Sequence, residues 1–191
     1  MSRRVRPHRR DQILTAATAL FRTHGFHAVG VDEIGSAAGI SGPGVYRHFT
    51  NKQALLVAIF DRVADDLVRQ AQRIEEETER PADALRVLVA QHVDFALTER
   101  ALIAVYTQEE RSLPASDRRR IRKRQRLYLD HWVRALREAR PEADEDEAVS
   151  IVHAAIHVVS SVAAYEPTLP RDRLRALLVG LAERVLLDDA G

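Results

Sequence analysis

No cysteine occurs in the 191 residues, so no disulfide staples the fold, and the absence fits a reducing cytoplasm. The longest weakly charged apolar run, Ile151 to Tyr165, contains two histidines and falls short of the roughly 18 residues that a membrane span requires. With no signal peptide pattern at the start, a soluble, cytoplasmic protein outside the membrane is expected. No segment alternates apolar and polar residues as a half-buried strand does. A phosphate-cradling glycine loop, a nucleophile elbow and a convincing metal-ligand set are all missing, so an enzyme is not expected, nor any cofactor or metal.

What is present is helical periodicity. Apolar residues make up 46% of the chain, ample for a buried core. Pro81, Pro114, Pro141, Pro167 and Pro170 fall at segment boundaries. The pattern predicts an all-α protein of about nine helices, near 9–24, 31–38, 42–48, 52–79, 81–97, 100–110, 115–140, 144–165 and 170–187. A three-helix N-terminal domain over 1–52 and a helical C-terminal domain over 53–191 are expected, with no repeat or long linker between them.

The stretch Val31 to Phe49 reads as a helix-turn-helix. Ile34, Ala37, Ala38, Ile40, Val45 and Phe49 recur at spacings that give two short helices a shared apolar side. Gly39 supplies the left-handed residue that ends the first helix. Ser41 caps the second, and Pro43 sits in its first turn, where a missing N–H costs nothing. Gly42 and Gly44 carry little bulk, so the leading backbone is expected to approach a DNA strand while Tyr46, Arg47 and His48 project outward. Thr50 with Gln53 reads as a capping box for the next helix, whose first turn holds Lys52; a free helix start beside a lysine suits a phosphate.

Ile13, Ala16, Ala17, Leu20, Phe21, Gly25 and Phe26, then Ile34 through Leu56, resemble the DNA-binding domain of the TetR family of bacterial transcriptional regulators, over about Arg9 to Leu56. Two positions depart from the family pattern: Gly30 stands where threonine is usual and Gly35 where alanine is preferred. A glycine inside a short helix costs about 1 kcal/mol. The resemblance implies phosphate contacts for Tyr46 and Lys52 and a major-groove position for Gly42 to His48. Arg9, Ser41, Gly42, Pro43, Gly44, Tyr46, Arg47, His48 and Lys52 are the candidate DNA-binding residues.

Charge is distributed in the same sense. Residues 1–52 hold eight basic groups against three acids, a net of +5, while the rest of the chain is −4 and the whole only +1. Arg3, Arg4, Arg6, Arg9 and Arg10 are expected to form a basic arm reaching along the duplex.

In the C-terminal part, the last two helices carry more apolar surface than one neighbour covers, with Ala154, Ala155, Ser160, Ser161, Ala163, Ala164 and Gly180 permitting close approach. A symmetric homodimer through these helices follows, placing two heads for a palindromic site on double-stranded DNA. His92, Phe95, Tyr106, Gln108, Glu109, Tyr128, Trp132, His153 and His157 are the candidate wall of a small-molecule effector pocket. The segment Arg118 to Arg126 has two readings: an exposed face balanced by the acidic run Glu142 to Glu147, or a phosphate site at the pocket mouth. The second would suit an acyl-coenzyme A ligand, and Val105 to Arg111 with the following basic helix resembles TetR-type regulators of lipid catabolism. The fourth helix joins head to body and would act as a lever. The function implied is a ligand-responsive repressor; the alternative is an architectural DNA binder, tolerant of sequence and without an effector.

Overall fold

The computed structural model describes residues 9–187, and all their regular structure is helical. The elements are α1 (Arg9–His24), α2 (Val31–Ala37), α3 (Gly42–Tyr46), α4 (Lys52–Glu77), α5 (Pro81–Thr98), α6 (Arg100–Glu109), α7 (Ala115–Ala139), α8 (Glu145–Ser160) and α9 (Arg171–Leu187). Single 3-10 turns extend α6 over Glu110–Ser112 and α8 over Ser161–Ala164. Arg3, Arg4 and Arg6 of the expected arm lie outside the described residues. Arg9 and Arg10 do not belong to an arm: they form the first turn of α1, where Arg9 donates to Gln12 Oε1 at 2.8 Å and the Arg10 guanidinium lies 4.9 Å from the centre of the Phe49 ring.

The head forms as its local chemistry directs. Gly25 and Gly39 have φ of +80° and +69°, the left-handed conformation that ends α1 and α2. Ser41 Oγ accepts from Gly44 N–H at 3.3 Å, capping α3. The cap of α4 falls one residue later than expected: Asn51, not Thr50, accepts from Ala54 N–H at 2.7 Å. Gln53 does not close a capping box; its amide donates instead to the Ser112 carbonyl at 3.0 Å, across to the body. Ala37, expected on the apolar side, is exposed.

Two apolar cores fill the molecule. One gathers α1 to α3 around Ile13, Phe21, Ile34, Val45 and Phe49, and continues through Leu55 to Phe60 of α4 into Leu102, Val105, Leu113 and Ile121. The other surrounds Trp132 with residues of α4, α5, α7, α8 and α9. The head core therefore does not stop at residue 52. The first two turns of α4 belong to it, and Ala71 and Ile74 of the same helix belong to the body core. A 26-residue helix reaches about 39 Å at 1.5 Å per residue, enough to enter both.

The α8 segment extended by its 3-10 turn, Glu145–Ala164, is long and apolar enough to cross a membrane by length and composition, with a mean hydropathy of 1.5 over an 18-residue window. The expectation of too short a run counted only from Ile151 and left out the helix's first turns. Only 28% of the apolar window is buried, and Val149 and Leu177 on α8 and α9 stay exposed. A single chain leaves that surface uncovered.

Candidate nucleic-acid interface and ligand cavity

Among the candidate DNA-binding residues, Arg9, Ser41, Pro43, Tyr46, Arg47 and His48 are exposed, with Tyr46 at 54%. Gly42 and Gly44 are not: both are buried, facing the head rather than outward. A Cβ on Gly42 would fall 1.7 Å from the Asp32 carboxylate oxygen, and one on Gly44 would touch Ile40 and the capping hydroxyl of Ser41. Their small size serves the packing of α3 onto α2. Gly35 plays the complementary part, because a Cβ there would stand 3.0 Å from backbone atoms of Ile40, Ser41 and Gly42.

Lys52 is half-buried, and its ammonium is occupied. Nζ donates to the carbonyls of Phe26, His27 and Val29 at 2.9, 3.3 and 3.0 Å, and lies 4.6 Å from the Phe26 ring centre. Three donors on three carbonyls exhaust an ammonium. The geometry makes Lys52 the clamp that fixes the α1–α2 loop to the start of α4. The end of α1 and the loop are held from the body as well: Arg22 in the last turn of α1 pairs with Glu99, and His27 Nε2 in the loop lies 2.7 Å from Glu109 Oε1.

Behind α6 opens a cavity of about 880 Å³ between α4, α5, α6, α7 and α8. Its wall is chiefly apolar, with Phe60, Leu67, Leu102, Ile103, Leu129 and Ile156 contributing. Of the candidate ligand residues, His92, Phe95, Tyr106, Gln108, Tyr128, His153 and His157 line it. Glu109 and Trp132 do not. Glu109 points to the head, taking His27 and the Ser112 hydroxyl; Trp132 is 1% exposed within the body core. Thr107, Glu110, Gln125, Ser160 and Ser161 also line the cavity and were not foreseen. Gln125 was legible, since Ile121, Gln125, Tyr128 and Trp132 form one i, i+4, i+7, i+11 stripe on α7; inside the run of arginines it reads as a solvated residue.

The polar liners are tuned by burial. His92 is buried, and desolvation pulls its imidazole down to about 4, so it is neutral near pH 7. Its Nδ1 lies 3.2 Å from the Tyr128 hydroxyl, whose own titration is pushed upward by desolvation. Tyr106 donates to Gln125 Oε1 at 3.2 Å; desolvation, reinforced by the nearby Glu110 charge, pushes it up to about 12. His153 and His157 sit on the exposed side of α8, and among the described residues no group of three metal-ligand side chains forms.

The Arg118–Arg126 segment is not balanced by the acidic run Glu142 to Glu147. Arg120 pairs with Asp61 at 2.7 Å and Asp117 at 2.6 Å, Arg124 with Asp65 and Asp61, and Arg122 with Glu110 at 2.6 Å. The neutralising acids come from α4, which α7 lies along, from the 3-10 turn after α6 and from the first turn of α7. The acidic run serves its own end of the body: Asp144 and Glu147 form the capping box of α8, and Glu142 pairs with Arg140. Among the described residues, Arg119, Lys123 and Arg126 remain exposed without an ion pair.

Residues 13–59 match the profile described as bacterial regulatory proteins, tetR family, and residues 78–164 match that of the tetracyclin repressor-like C-terminal domain. The chain belongs to the TetR family. It is 38% identical over 94 residues to the HTH-type transcriptional activator FasR of Mycolicibacterium smegmatis, a match covering 49% of this chain and 43% of that protein. It is 29% identical over 110 residues to the HTH-type transcriptional repressor KstR2 of Rhodococcus jostii, covering 58% of this chain and 54% of the repressor. These matches thus span about half the length of both relatives. In fold, the TetR-family architecture extends over nearly the whole chain: the crystal structure of FadR from Bacillus subtilis in complex with stearoyl-CoA superposes with a TM-score of 0.74 at 21% identity, covering 94% of this chain and 98% of that one.

Proposed function

We propose that this TetR-family chain is a dimeric repressor of transcription that leaves its palindromic operator when a small apolar effector fills the cavity. The observation that carries the reading is the placement of α6. One side of this helix walls the cavity through Leu102, Ile103 and Tyr106, while Glu99 at its start and Glu109 at its end hold Arg22 and His27 of the head. A molecule that displaces α6 therefore acts on the loop that Lys52 fixes to α4. Tyr46, Arg47 and His48 supply the outward face for the major groove, and Arg9 a flanking phosphate contact. Uncovered apolar surface on α8 and α9 supports a dimer through those helices, which spaces two heads about 34–36 Å apart for successive grooves.

An acyl thioester suits the cavity as effector class. About 880 Å³ with a largely apolar wall accommodates a long acyl chain. Arg122, which pairs with Glu110 of the cavity wall at 2.6 Å, offers charge for the phosphates of a carrier left outside. FadR of Bacillus subtilis, similar in fold, was crystallised with stearoyl-CoA. The test is DNA binding by the purified protein with and without long-chain acyl-coenzyme A. The reading predicts tight, salt-sensitive binding to one selected palindrome, weakened by the ligand. Equal affinity for all sequences, unaffected by ligand, would favour an architectural binder.

A further inference from the structure

The arginines that open α6 and α9 each reach across to the other's junction. Arg100, the first residue of α6, donates Nε to the Val162 carbonyl at 2.9 Å and Nη2 to the Tyr165 carbonyl, with the Glu166 carboxylate 3.3 Å away. Arg171, the first residue of α9, donates Nη2 to the Thr98 hydroxyl at 3.0 Å and Nη1 to the Leu97 carbonyl at 3.4 Å. Each closes the end of a helix to which it does not belong: Arg100 the 3-10 turn that ends α8, Arg171 the last turn of α5. The last carbonyls of a helix have no partner within it, and a cation there also meets the negative end of the helix dipole. A planar guanidinium with fixed donor directions reaches two such groups at once. One turn further along the same two helices, Asp94 takes Arg175 at 2.6 Å.

This reciprocal clasp sits where the head is tied to the body. Besides α1, α6 meets chiefly the end of α5 and the turn after α8; farther along, its body side borders the cavity. Glu99, the residue before Arg100, pairs with Arg22 in the last turn of α1. Val162, whose carbonyl Arg100 holds, is buried in the body core. The start of α6 is thus fixed on one side to the head and on the other to the connection between α8 and α9, the helices that carry the proposed dimer surface. The other attachment of the head is α4. A head held by one helix alone can pivot about it, and a second attachment stops the pivot.

We infer that Arg100 and Arg171 are specificity-determining residues for the operator: by locking the α5–α6 and α8–α9 junctions together they hold each head in place relative to the dimer axis and so set the half-site spacing that the dimer accepts. The inference rests on the reading of the chain as a dimeric palindrome binder and adds the residues that fix its geometry. Each base pair inserted between half-sites moves the second site by about 3.4 Å and turns it by about 35°. A rigid link concentrates the second head on one spacing; a loose one spreads it over several.

The experiment follows the anisotropy of a labelled palindrome that the intact protein selects from random DNA, of versions with one or two base pairs inserted between the half-sites, and of a single half-site. The unmodified protein loses about tenfold in affinity with the first inserted base pair and more with the second. Arg100→Gln combined with Arg171→Gln reduces that penalty to about threefold or less, while half-site affinity, helix content and dimer mass stay as they were. Arg100→Lys, which keeps the charge but not the two-pronged fork, falls between. The full penalty in the double variant overturns the clasp and leaves the dimeric reading standing, and so does an equal loss on palindrome and half-site. Should the double variant fail to fold, Arg171→Gln alone, at an exposed residue, carries the same expectation at smaller size. An unmodified protein that tolerates both insertions overturns the inference whether or not any variant folds. Failure of the unmodified protein to prefer the palindrome over the half-site overturns the dimeric reading, and the inference with it.

Discussion

His27 Nε2 lies 2.7 Å from Glu109 Oε1, tying the loop that leaves α1 to the far end of the helix that walls the cavity. At the near end Glu99 pairs with Arg22, in the last turn of α1 itself. The His27 and Arg22 partners are solvent-facing, so the two pairs together are worth about 1 kcal/mol or less to stability. Their weight is in coupling. Replacing both acids, Glu99→Gln with Glu109→Gln, leaves the thermal midpoint within a few degrees and reduces the ligand-induced loss of DNA affinity at least threefold. Thermal melts with DNA titrations, each with and without acyl-coenzyme A, check this. An unchanged ligand response removes α6 from the transmission route.

Lys52 separates a structural role from a direct phosphate contact. Lys52→Met removes three donors from the carbonyls of Phe26, His27 and Val29 and destabilises the head by roughly 1–3 kcal/mol. The melting temperature falls, and amide resonances of the α1–α2 loop shift in the absence of DNA. By contrast, Arg47→Ala, with the exposed side chain on the outer face of the head, leaves the melt unchanged and lowers the salt dependence of DNA binding by about one ion. A Lys52→Met protein with an unaltered melt and a reduced salt slope would return Lys52 to a phosphate contact.

The head was readable because its signals are local. Gly39, Ser41 and Pro43 act on backbone groups within a few residues, and each stands where the pattern placed it. The cap of α4 was displaced because Thr50 and Asn51 are both competent caps, and Gln53 found a better partner in the Ser112 carbonyl, a contact 59 residues away. Gly42 and Gly44 were assigned to the DNA face because sequence gives residue size but not direction; the register of α3 against Asp32 and Ile40 turns them inward. Seven polar or aromatic residues proposed for the cavity line it, because such groups amid apolar helical stripes face either a chamber or a polar network. Glu109 took the second course, and Trp132 packs into the apolar core of the body. Which acids neutralise the α7 arginines depends on the pairing of α4 with α7, which no local pattern encodes.

His92 gives the fold a pH dependence of definite sign. Its imidazole is held at about 4 by burial, below the ordinary 6.5 it regains on unfolding. Between those values the unfolded chain binds the extra proton, so stability falls as pH drops through this window and is fully present above it. The loss amounts to about 3 kcal/mol at the acid end. Urea melts of the unmodified protein and His92→Gln over this range check it: the variant lacks that component. Identical pH profiles would mean that His92 is solvated.

The uncovered apolar residues of α8 and α9 predict a self-association that one charge disrupts. Val149 and Leu177 are 38% and 45% exposed in the single chain. Sedimentation of the unmodified protein gives twice the chain mass of 21.5 kDa. Leu177→Glu shifts it to the single mass and weakens binding to a palindrome at least tenfold, with the head still folded by circular dichroism. A monomeric unmodified protein that binds the palindrome tightly contradicts the arrangement.

The most direct measurement follows the anisotropy of a labelled palindrome, selected from random DNA by the protein itself, as acyl-coenzyme A is added at constant salt. The account predicts that affinity falls about 5- to 150-fold, the range of an allosteric coupling of 1–3 kcal/mol, and that ligand binding weakens by the same factor when DNA is present. Affinity that stays constant through saturation of the cavity would contradict it.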